Sequence, residues 1–347
     1  MHNHPSFKIR FAHIEDIDDI VDIFTKNYGE HYIYDAYLNP AMLIEDFNSQ
    51  KLVTIVAEYK KKIIGHIALV PFNNKYEIGR FLVSPGYKDL GVGKAIYEKL
   101  RNYIEKKKLY NIFTECVTTN GRSSNIAFKN GLRSIGFGLG LCKNFYQDSP
   151  PRETMQYLVL PSVNIKESYL VYSHPVLVDV SNMIYQYHKF KRKNSLNIIT
   201  PQEENTKYTV SYDDRNRRIG ISIDIIGKDL KKVLSNFCTV CTNQGYAIIN
   251  CEIDMKISST SYAIEELSEV GFLFSFLWPN YIQNNHHTDL LCMQYITPNN
   301  EFSLDGLDIP NMFAKHLLER MKPDFLHRKS QRKPNKSQEN LTNFLQT

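Results

Sequence analysis

The chain has 347 residues, 42% of them hydrophobic and 23% charged, which is enough apolar material for two folded domains. This composition excludes a disordered acidic chain, and six cysteines over such a length exclude a disulfide-stapled scaffold. Of the net charge of +5, the segment 322–347 supplies +4, from six Lys and Arg residues against two Asp and Glu residues. Because the rest is nearly neutral, we expect no nucleic-acid partner.

The start of the chain and its apolar stretches bear on its compartment. Residues 1–6 lack the charged and apolar regions of a secretory signal peptide, and no stretch reaches the roughly 20 apolar residues of a membrane span. We therefore expect a cytoplasmic protein with reduced cysteines and no membrane partner. The single CxxC, Cys238–Cys241, falls in a helical pattern without a second pair of ligands, so we expect no metal site.

Apolar spacing predicts alternating strands and helices in the first half of the chain. In chain order the predicted elements are a strand at 7–11, a helix from Ile17, strands at 52–59 and 63–70 joined by the turn Lys60–Lys62, a strand at 76–83, a helix at 91–107, a strand at 111–117, a helix at 124–134, and strands at 137–142 and 155–160. This order predicts an α+β fold, in which the sheet has one strand–loop–helix unit at its centre.

Three short segments of the first half recur in the same order in the second half. They are Thr114–Cys116 with Ile249–Cys251 and Arg133–Phe137 with Ser268–Phe272, both 135 positions later, and Met155–Tyr157 with Met293–Tyr295, 138 positions later. Matches at a nearly constant offset indicate an internal duplication. The predicted domains are a first domain at 1–160, a helical connector at 161–195, a diverged second lobe at 196–300, a helix at 301–323 and a flexible basic tail at 324–347.

The stretch Phe81–Ala95 ends a predicted strand, passes through a loop with Gly91 and Gly93, and begins a helix. Glycines let backbone N–H groups approach an anion closely, and a helix N-terminus adds the positive end of its dipole. This arrangement suits a pyrophosphate. It is not a Walker A loop, because Ala95 follows Lys94 where a serine or threonine is needed, and it is not a GxGxxG dinucleotide loop.

The motif Lys88-Asp-Leu-Gly91-Val-Gly93 resembles the Arg/Gln-x-x-Gly-x-Gly/Ala loop of the GNAT (Gcn5-related) N-acetyltransferases. The flanking strands and helices, and the run from Asn125 to Phe137, also follow the order of that family, over about residues 6–160. The resemblance implies the GNAT fold, which is a mixed and mostly antiparallel sheet flanked by helices, and an acetyl-CoA or other acyl-CoA cofactor. It further implies two tandem GNAT-like lobes, of which the second has lost coenzyme binding, because 217–230 lacks paired glycines before a helix.

The resemblance also implies where the coenzyme lies. The pyrophosphate would be held by loop amides with one basic side chain, at Lys88, Leu90, Gly91, Val92, Gly93 and Lys94. The pantetheine arm would run beside the strand at Leu82 and Val83, with an amide near Val83 facing the thioester carbonyl, and with Asn125 close to the arm. Asp89 departs from the pattern, because a carboxylate beside the phosphates weakens their binding unless it points to solvent.

Acyl transfer also needs a base for the proton of the attacking amine and an acid for the thiolate. Glu77 occupies the family position of the base, and Glu115 on the next strand is the alternative. Burial on an apolar strand would raise the pKa of either carboxyl. The family often places a tyrosine acid four residues before the glycine of a Gly-Phe pair, where this chain has Leu132, so Tyr146, Ser123 or water are the alternatives.

In this family the acceptor generally enters over the first helices, which here means the segment Asn27–Tyr37 with its four tyrosines. An aromatic and acidic cluster would hold a cationic amine by cation–π and charge contacts. The candidate substrate-binding residues are Glu30, His31, Tyr32, Tyr34 and Tyr37. The alternative is that the same residues form a packing cluster at the edge of the core.

The sequence therefore predicts an acetyl- or acyl-CoA-dependent N-acyltransferase that modifies the primary amine of a small molecule or a protein by direct attack. Two other functions are left open. A non-catalytic acyl-CoA-binding or sensing protein is favoured by the missing tyrosine. An interaction protein would act through the second lobe and the basic tail.

Overall fold

The structure, a computed structural model, describes residues 6–49, 52–72, 74–144, 151–161, 168–298 and 300–331. In the first half, strands and helices follow the predicted order, with one additional helix. The elements are β1 (Lys8–Phe11), α1 (Ile17–Tyr28), α2 (Pro40–Asn48), β2 (Val53–Tyr59), β3 (Lys62–Phe72), β4 (Lys75–Val83), α3 (Val92–Lys107), β5 (Ile112–Val117), α4 (Arg122–Lys129), β6 (Arg133–Lys143) and β7 (Arg152–Val159).

The second half begins with a small connecting unit, in which two short strands pair in parallel around one helix. That unit consists of β8 (Tyr169–Tyr172), α5 (Pro175–His188) and β9 (Arg192–Ser195). The elements that follow are β10 (Lys207–Asp213), β11 (Arg218–Ile225), α6 (Leu230–Asn243), β12 (Ile248–Asp254), α7 (Thr260–Val270), β13 (Leu273–Gln283), β14 (His286–Ile296) and α8 (Met312–Gln331).

One twelve-stranded sheet runs through both halves, in the order β1-β2-β3-β4-β5-β7-β6-β13-β14-β12-β11-β10. Most neighbours are antiparallel, and the two parallel pairs, β4–β5 and β11–β12, are each connected by a helix, α3 or α6. The halves join where β6 pairs with β13, at Gly136 opposite Phe276. The predicted α+β fold with a mixed, mostly antiparallel sheet is therefore confirmed.

Helices cover both faces of the sheet in the first half. Ile17, Ile20 and Phe24 of α1 are spaced so that they share one side of the helix, and they are buried against one face, the α1 face. Ile96 and Leu100 of α3 are buried against the opposite face, the α3 face. The sheet thus separates two apolar clusters, one packed under α1 and the other packed under α3.

The order β10-β11-α6-β12-α7-β13-β14 has the same succession of strands and helices as β3-β4-α3-β5-α4-β6-β7. Two of the three predicted sequence matches lie on corresponding strands, β5 with β12 and β7 with β14. The third match is wrong in register. Gly136 lies inside β6, whereas Gly271 ends α7 with a positive φ, and the glycine that follows α4 in this way is Gly131. The duplication itself stays a prediction.

Two helices end at other residues than predicted. α4 ends at Lys129, because Gly131 takes a φ of 95° and the chain returns to the sheet at Arg133. α8 continues through Pro323 to Gln331, so the first part of the predicted flexible tail is helical, and residues 332–347 lie outside the described part. Within the described residues, no helix is long and apolar enough to cross a membrane.

The junction between β6 and β13 brings the two backbones unusually close at Gly136. A methyl group there would lie 2.0 Å from the Ser275 carbonyl oxygen and 2.5 Å from the Phe276 Cα. The Ser275 hydroxyl donates to the Phe137 carbonyl at 2.9 Å across the same junction. Only glycine therefore fits at this point of the sheet without moving backbone atoms.

Gly136→Ala should lower the free energy of unfolding by about 3 kcal/mol, because a clash with backbone atoms is not relieved by a change of rotamer. Urea unfolding followed by circular dichroism measures this loss. Gly220→Ala on β11 is the matched control, since its methyl would meet the Ser211 Oγ at 2.6 Å, and that side chain can rotate away. Equal losses in the two variants would contradict the close-approach argument.

Candidate functional site

β4 and β5 separate soon after they begin to pair. In the described chain their parallel register holds at two positions, the second being Glu77 with Phe113. β4 then bends at Arg80, which has a φ of 52°, and its register against β3 shifts there. The corresponding strands β11 and β12 stay paired over five positions, as far as Ser222 with Glu252. The first half therefore has a gap between two strands that the second half lacks.

The edge of β4 offers backbone donors to this gap. The Ser84 N–H donates to the Ile64 carbonyl of β3 at 2.9 Å. Because successive N–H groups of a strand point to opposite sides, the Val83 N–H points into the gap. Leu82 turns its side chain into the cluster of the α1 face. An extended chain of amides lying in the gap would pair with this edge as another strand does.

The loop after β4 leads to an open helix N-terminus. Gly91 has a φ of 79°, and a Cβ there would have no neighbour within 4 Å in the described structure. The first hydrogen bond of α3 runs from the Ala95 N–H to the Gly91 carbonyl at 3.0 Å, and no described side chain caps the helix. The N–H groups of Val92, Gly93 and Lys94 precede this bond and are available to an anion.

The side chains around this helix end are predominantly basic. Lys88, Asp89 and Lys94 are exposed, and the Lys94 Nζ lies 3.7 Å from Glu98 Oε1. Leu90 packs at the edge of the cluster on the α3 face. Solvent screens all three charges alike, so the two lysines against one aspartate leave a small excess of positive charge at the helix end.

The corresponding end of α6 is closed by the chain itself. The Lys228 N–H donates to the Glu203 carbonyl at 2.9 Å, and the Asp229 N–H donates to the Glu204 carbonyl at 3.2 Å. The Asp229 carboxylate in turn accepts a hydrogen bond from the Thr206 N–H at 2.7 Å. Backbone carbonyls and a carboxylate thus lie beside this helix end, and they disfavour the binding of a phosphate there.

Glu77 and Glu115 lie on the α1 face, on the two sides of the gap. The Glu77 carboxylate accepts from Arg80 Nη1 at 2.7 Å, and the Arg80 guanidinium stacks 3.7 Å from the centre of the Tyr34 ring. Glu115 accepts from Arg218 Nη1 at 3.0 and 3.2 Å. Burial raises the pKa of the Glu115 carboxyl above its usual value, although the Arg218 charge opposes the shift. Two carboxylates with different cationic partners therefore lie on the α1 face, where the family resemblance places the acceptor.

An open cavity of about 460 Å³ lies on the α1 face, next to Arg80, the partner of Glu77. The residues that line it include Tyr34, Tyr37, Arg80, Asp35 and Asp46. This volume is in the range of small-molecule sites. Aromatic and acidic residues of this kind bind cationic amines by cation–π and charge contacts.

Residues 17–131, which include the gap, the loop and α3, match the family model described as Acetyltransferase (GNAT) family. This part of the chain is a GNAT acetyltransferase domain. The family assigns the domain to the N-acetyltransferases, for which acetyl-CoA is the acyl donor. The resemblance noted in the sequence is thereby confirmed for the first half.

Several known proteins are similar to the GNAT domain. The spermidine N(1)-acetyltransferase of Thermoplasma acidophilum is 24% identical over 143 residues, which cover 37% of this chain and 89% of that protein. A crystal structure of an N-acetyltransferase from Staphylococcus aureus Mu50 covers 44% of this chain and 96% of its own, at 14% identity and a TM-score of 0.39. The PaiA N-acetyltransferase of T. acidophilum in complex with coenzyme A covers 44% and 99%, at 17% identity and a TM-score of 0.34.

The structure changes the interpretation of the predicted acid position in the GNAT domain. Gly136, the glycine of the Gly-Phe pair that points to Leu132, lies inside β6, and the glycine that ends α4 is Gly131. Four residues before Gly131 the chain has Ala127, which is fully buried, and Leu132 is buried as well. Counting four residues back from Gly136 or from Gly131 therefore gives no tyrosine at the end of α4. The alternative Tyr146 lies outside the described residues.

Two other predicted residues lie next to β5. The thiol of Cys116 lies within hydrogen-bonding reach of the Ser123 hydroxyl at the start of α4. Burial raises the pKa of this thiol to about 12, so the thiol is neutral at physiological pH. Asn125 is half-buried on the next turn of α4, on the same side of the sheet as α3.

The tyrosine segment serves partly as core. Tyr32 and Tyr37 pack against Phe24 with ring centroids 4.7 Å apart in each case, in the cluster of the α1 face. Tyr34 and Tyr37 line the cavity, whereas Glu30 is exposed. The side chain of His31 lies outside the described part of the structure. The cavity wall therefore involves part of the predicted acceptor cluster.

His66 on β3 is buried beneath this segment, and its Nδ1 lies 2.7 Å from the Arg80 carbonyl. Burial lowers its pKa from 6.5 to about 4. Because the unfolded chain binds a proton more readily, the stability due to neutral His66 is complete above pH 6.5 and is lost as the pH falls to 4. The loss amounts to about 3 kcal/mol.

We therefore expect His66→Gln to flatten the fall in unfolding free energy between pH 6.5 and pH 4. Glutamine keeps an N–H donor for the Arg80 carbonyl and does not titrate. Denaturant unfolding at several pH values measures the slope. Part of the slope should persist, because buried His188 also has its pKa lowered to about 4. An unchanged slope would show that His66 does not contribute to acid destabilisation.

Proposed function

We propose that this chain acetylates the primary amine of a cationic acceptor with acetyl-CoA, by direct attack of the amine. The observation that supports this most strongly is the combination of the β4–β5 gap with the open end of α3 on one side and two carboxylates on the other. A coenzyme and an acceptor can then approach one point of the sheet from opposite faces.

The residues present fit acetyl-CoA, which supplies an activated acetyl thioester when bound. The amides of Val92, Gly93 and Lys94 would hold its pyrophosphate, since they are the donors at the end of α3 that precede the first helical bond. The Val83 N–H would face the carbonyl oxygen, because it points into the gap. Asn125 is the predicted contact to the arm of the coenzyme.

We assign the base to Glu115. Glu77 belongs to the last paired position before the gap, whereas Glu115 lies two residues further along β5, beside the gap itself. Its raised pKa also favours a group that takes a proton near neutral pH. Glu77 is instead held by Arg80, which stacks on Tyr34 at the cavity wall. We assign Glu77 to the positioning of Arg80.

A cationic acceptor is supported by the charges on the acceptor side. The carboxylates there outnumber the guanidinium groups. The carboxylates are Asp35, Asp46, Glu77, Glu115 and Asp213, and the guanidinium groups are Arg80, Arg152, Arg215 and Arg218. An excess of negative charge attracts ammonium groups and raises their local concentration. Spermidine, the substrate in the name of one relative, belongs to this class.

The test is the release of free coenzyme A from acetyl-CoA with a panel of amines. The panel should contain spermidine, an aminoglycoside, a peptide with an N-terminal alanine, and a neutral monoamine. We expect turnover with the polycationic amines and little with the neutral one. Coenzyme binding without turnover on any amine would favour an acyl-CoA sensor, and the absence of binding would refute both proposals.

A further inference from the structure

The turn between β10 and β11, residues 213–218, extends from the second half onto the acceptor side of the GNAT domain. Arg218 places Nη1 3.0 and 3.2 Å from the two oxygens of Glu115, although the residues are 103 positions apart in the chain. At the rim, Arg215 forms an ion pair with Asp35 and also lies 5.9 Å from the centre of the Tyr34 ring. This turn, which we call the β10–β11 turn, thus contacts both the candidate base and the cavity.

Hydrogen bonds within the β10–β11 turn also hold the Arg218 side chain in place. Its Nε donates to Asp213 Oδ2 at 2.7 Å, and the Asn216 side-chain amide donates to the same oxygen at 2.9 Å. The Asn216 carbonyl accepts from Arg152 Nη2 at 2.7 Å, and that guanidinium is buried. Since its partners are anchored on both halves, the guanidinium has little freedom to leave Glu115.

We propose that the second half completes the acceptor site of the GNAT domain, with Arg218 as the positioning residue that holds Glu115 as a carboxylate beside the β4–β5 gap. This inference rests on the proposed acetyltransferase function. Glu115 would take one proton from the ammonium form of the acceptor, become a neutral carboxylic acid, and later return that proton to water. The neutral amine would attack the thioester, so that a C–N bond forms as the C–S bond breaks, and the second N–H proton would pass to the leaving thiolate, which becomes free coenzyme A. Arg218 stays protonated throughout.

The charges around Glu115 explain why it needs such a partner. Burial and two nearby carboxylates, Glu77 on β4 and Asp213 on the β10–β11 turn, all favour the protonated carboxyl. Tyr157 on β7 and Tyr34 also interact with it, and both hydroxyls are neutral near pH 7 because burial raises their pKa. The thiols of Cys116 on β5 and Cys142 on β6 also interact with Glu115, and both are neutral for the same reason. Arg218 is the cation that opposes this set.

The first experiment compares pH profiles of kcat/KM for the wild type and two variants, with the panel amine that turns over fastest. Arg218→Met should move the acidic limb about 1–3 pH units higher, because an opposite charge at this distance changes a carboxyl pKa by that much. At a pH below the limb, kcat/KM should then fall about tenfold for each pH unit by which the limb has moved. Arg218→Lys keeps the charge and should restore most of the limb. Arg101→Met, at an exposed ion pair on α3, should leave the limb where it is.

An acidic limb that stays in place in folded Arg218→Met, or that moves equally in Arg218→Lys, would overturn the proposal. Loss of folding is checked with the double variant Glu115→Gln/Arg218→Met, which removes both charges of the cross-half pair and leaves Asp213 its hydrogen bonds from Asn216. If this variant folds and Arg218→Met does not, the cross-half ion pair is established, and Arg218→Lys then decides its role in the pH profile.

The second experiment needs no acceptor, so it separates this inference from the proposed function. NMR titration of the protein labelled with ¹³C at the glutamate side-chain carboxyl follows Glu115 directly, with Glu115→Gln to assign its signal. We expect the Glu115 titration midpoint to rise by about one pH unit or more in Arg218→Met. A midpoint equal to that of the wild type would refute the inference, even if amines are acetylated. A raised midpoint without turnover on any amine would refute the proposed function alone.

Discussion

Gly91→Glu should weaken the binding of acetyl-CoA at least about 100-fold, because it places a carboxylate at the positive end of the α3 dipole, where the pyrophosphate would lie. The φ of 79° at this position adds about 1–2 kcal/mol of backbone strain for any residue with a Cβ. The Cβ itself would meet open space, so the fold should survive the change. Calorimetric titration with acetyl-CoA measures the dissociation constant, and the wild type should show one site per chain.

The matched control is Gly306→Glu. Gly306 also has a positive φ, 71°, and open space around its Cβ, but it lies in the segment before α8. The same charge and a similar strain are therefore introduced away from the loop, and acetyl-CoA binding should stay within about twofold of the wild type. Gly91→Ala separates strain from charge and should fall between the two. Equal binding in both glutamate variants would rule out the end of α3 as the phosphate site.

Glu115→Gln should lower kcat/KM by about 10²–10⁴, because the amide keeps the shape of the side chain and its hydrogen bond from Arg218 but cannot take a proton. The dissociation constant of acetyl-CoA should change little, since Glu115 faces the α1 face and the open end of α3 lies on the other. Steady-state release of coenzyme A at saturating acetyl-CoA measures the first quantity, and calorimetry measures the second.

Glu77→Gln is the companion variant on the other side of the gap. It removes the carboxylate that holds Arg80 at 2.7 Å, so we expect a higher KM for the acceptor and a much smaller loss of kcat. The ratio between the two variants assigns the base. If Glu77→Gln loses more kcat than Glu115→Gln, then Glu77 is the base and Glu115 has a supporting role.

Much of the fold was predictable because the signals are local. The glycine pair at Gly91 and Gly93 identified the turn into α3, and extended apolar runs bounded by turn residues identified β2 to β4. Helix α2 was missed, although Asn39 followed by Pro40 is a helix-start signal, and the Asn39 side chain does accept from the Ala41 N–H at 3.0 Å. α2 has 9 residues, so the spacing of its apolar residues covers too few turns to indicate a helix.

The candidate site was predictable only in part, because its contacts join distant positions. Glu77 was named from its family position and Glu115 from its place on the next strand, whereas Arg80 and Arg218 were not identified. An arginine that pairs with a carboxylate 103 positions away leaves no spacing in the sequence. The bend of β4 at Arg80 was equally hidden, since a positive φ at a non-glycine residue depends on the surrounding structure and not on local preference.

The junction at Gly136 has a consequence for the solubility of each half without the other. β6, eleven residues long and almost entirely buried, is an interior strand here only because β13 lies beside it. A polypeptide ending after β7 would expose this apolar strand as a sheet edge, which is a template for aggregation. We therefore expect a chain that ends after β7 to aggregate, because each half covers an edge strand of the other at this junction.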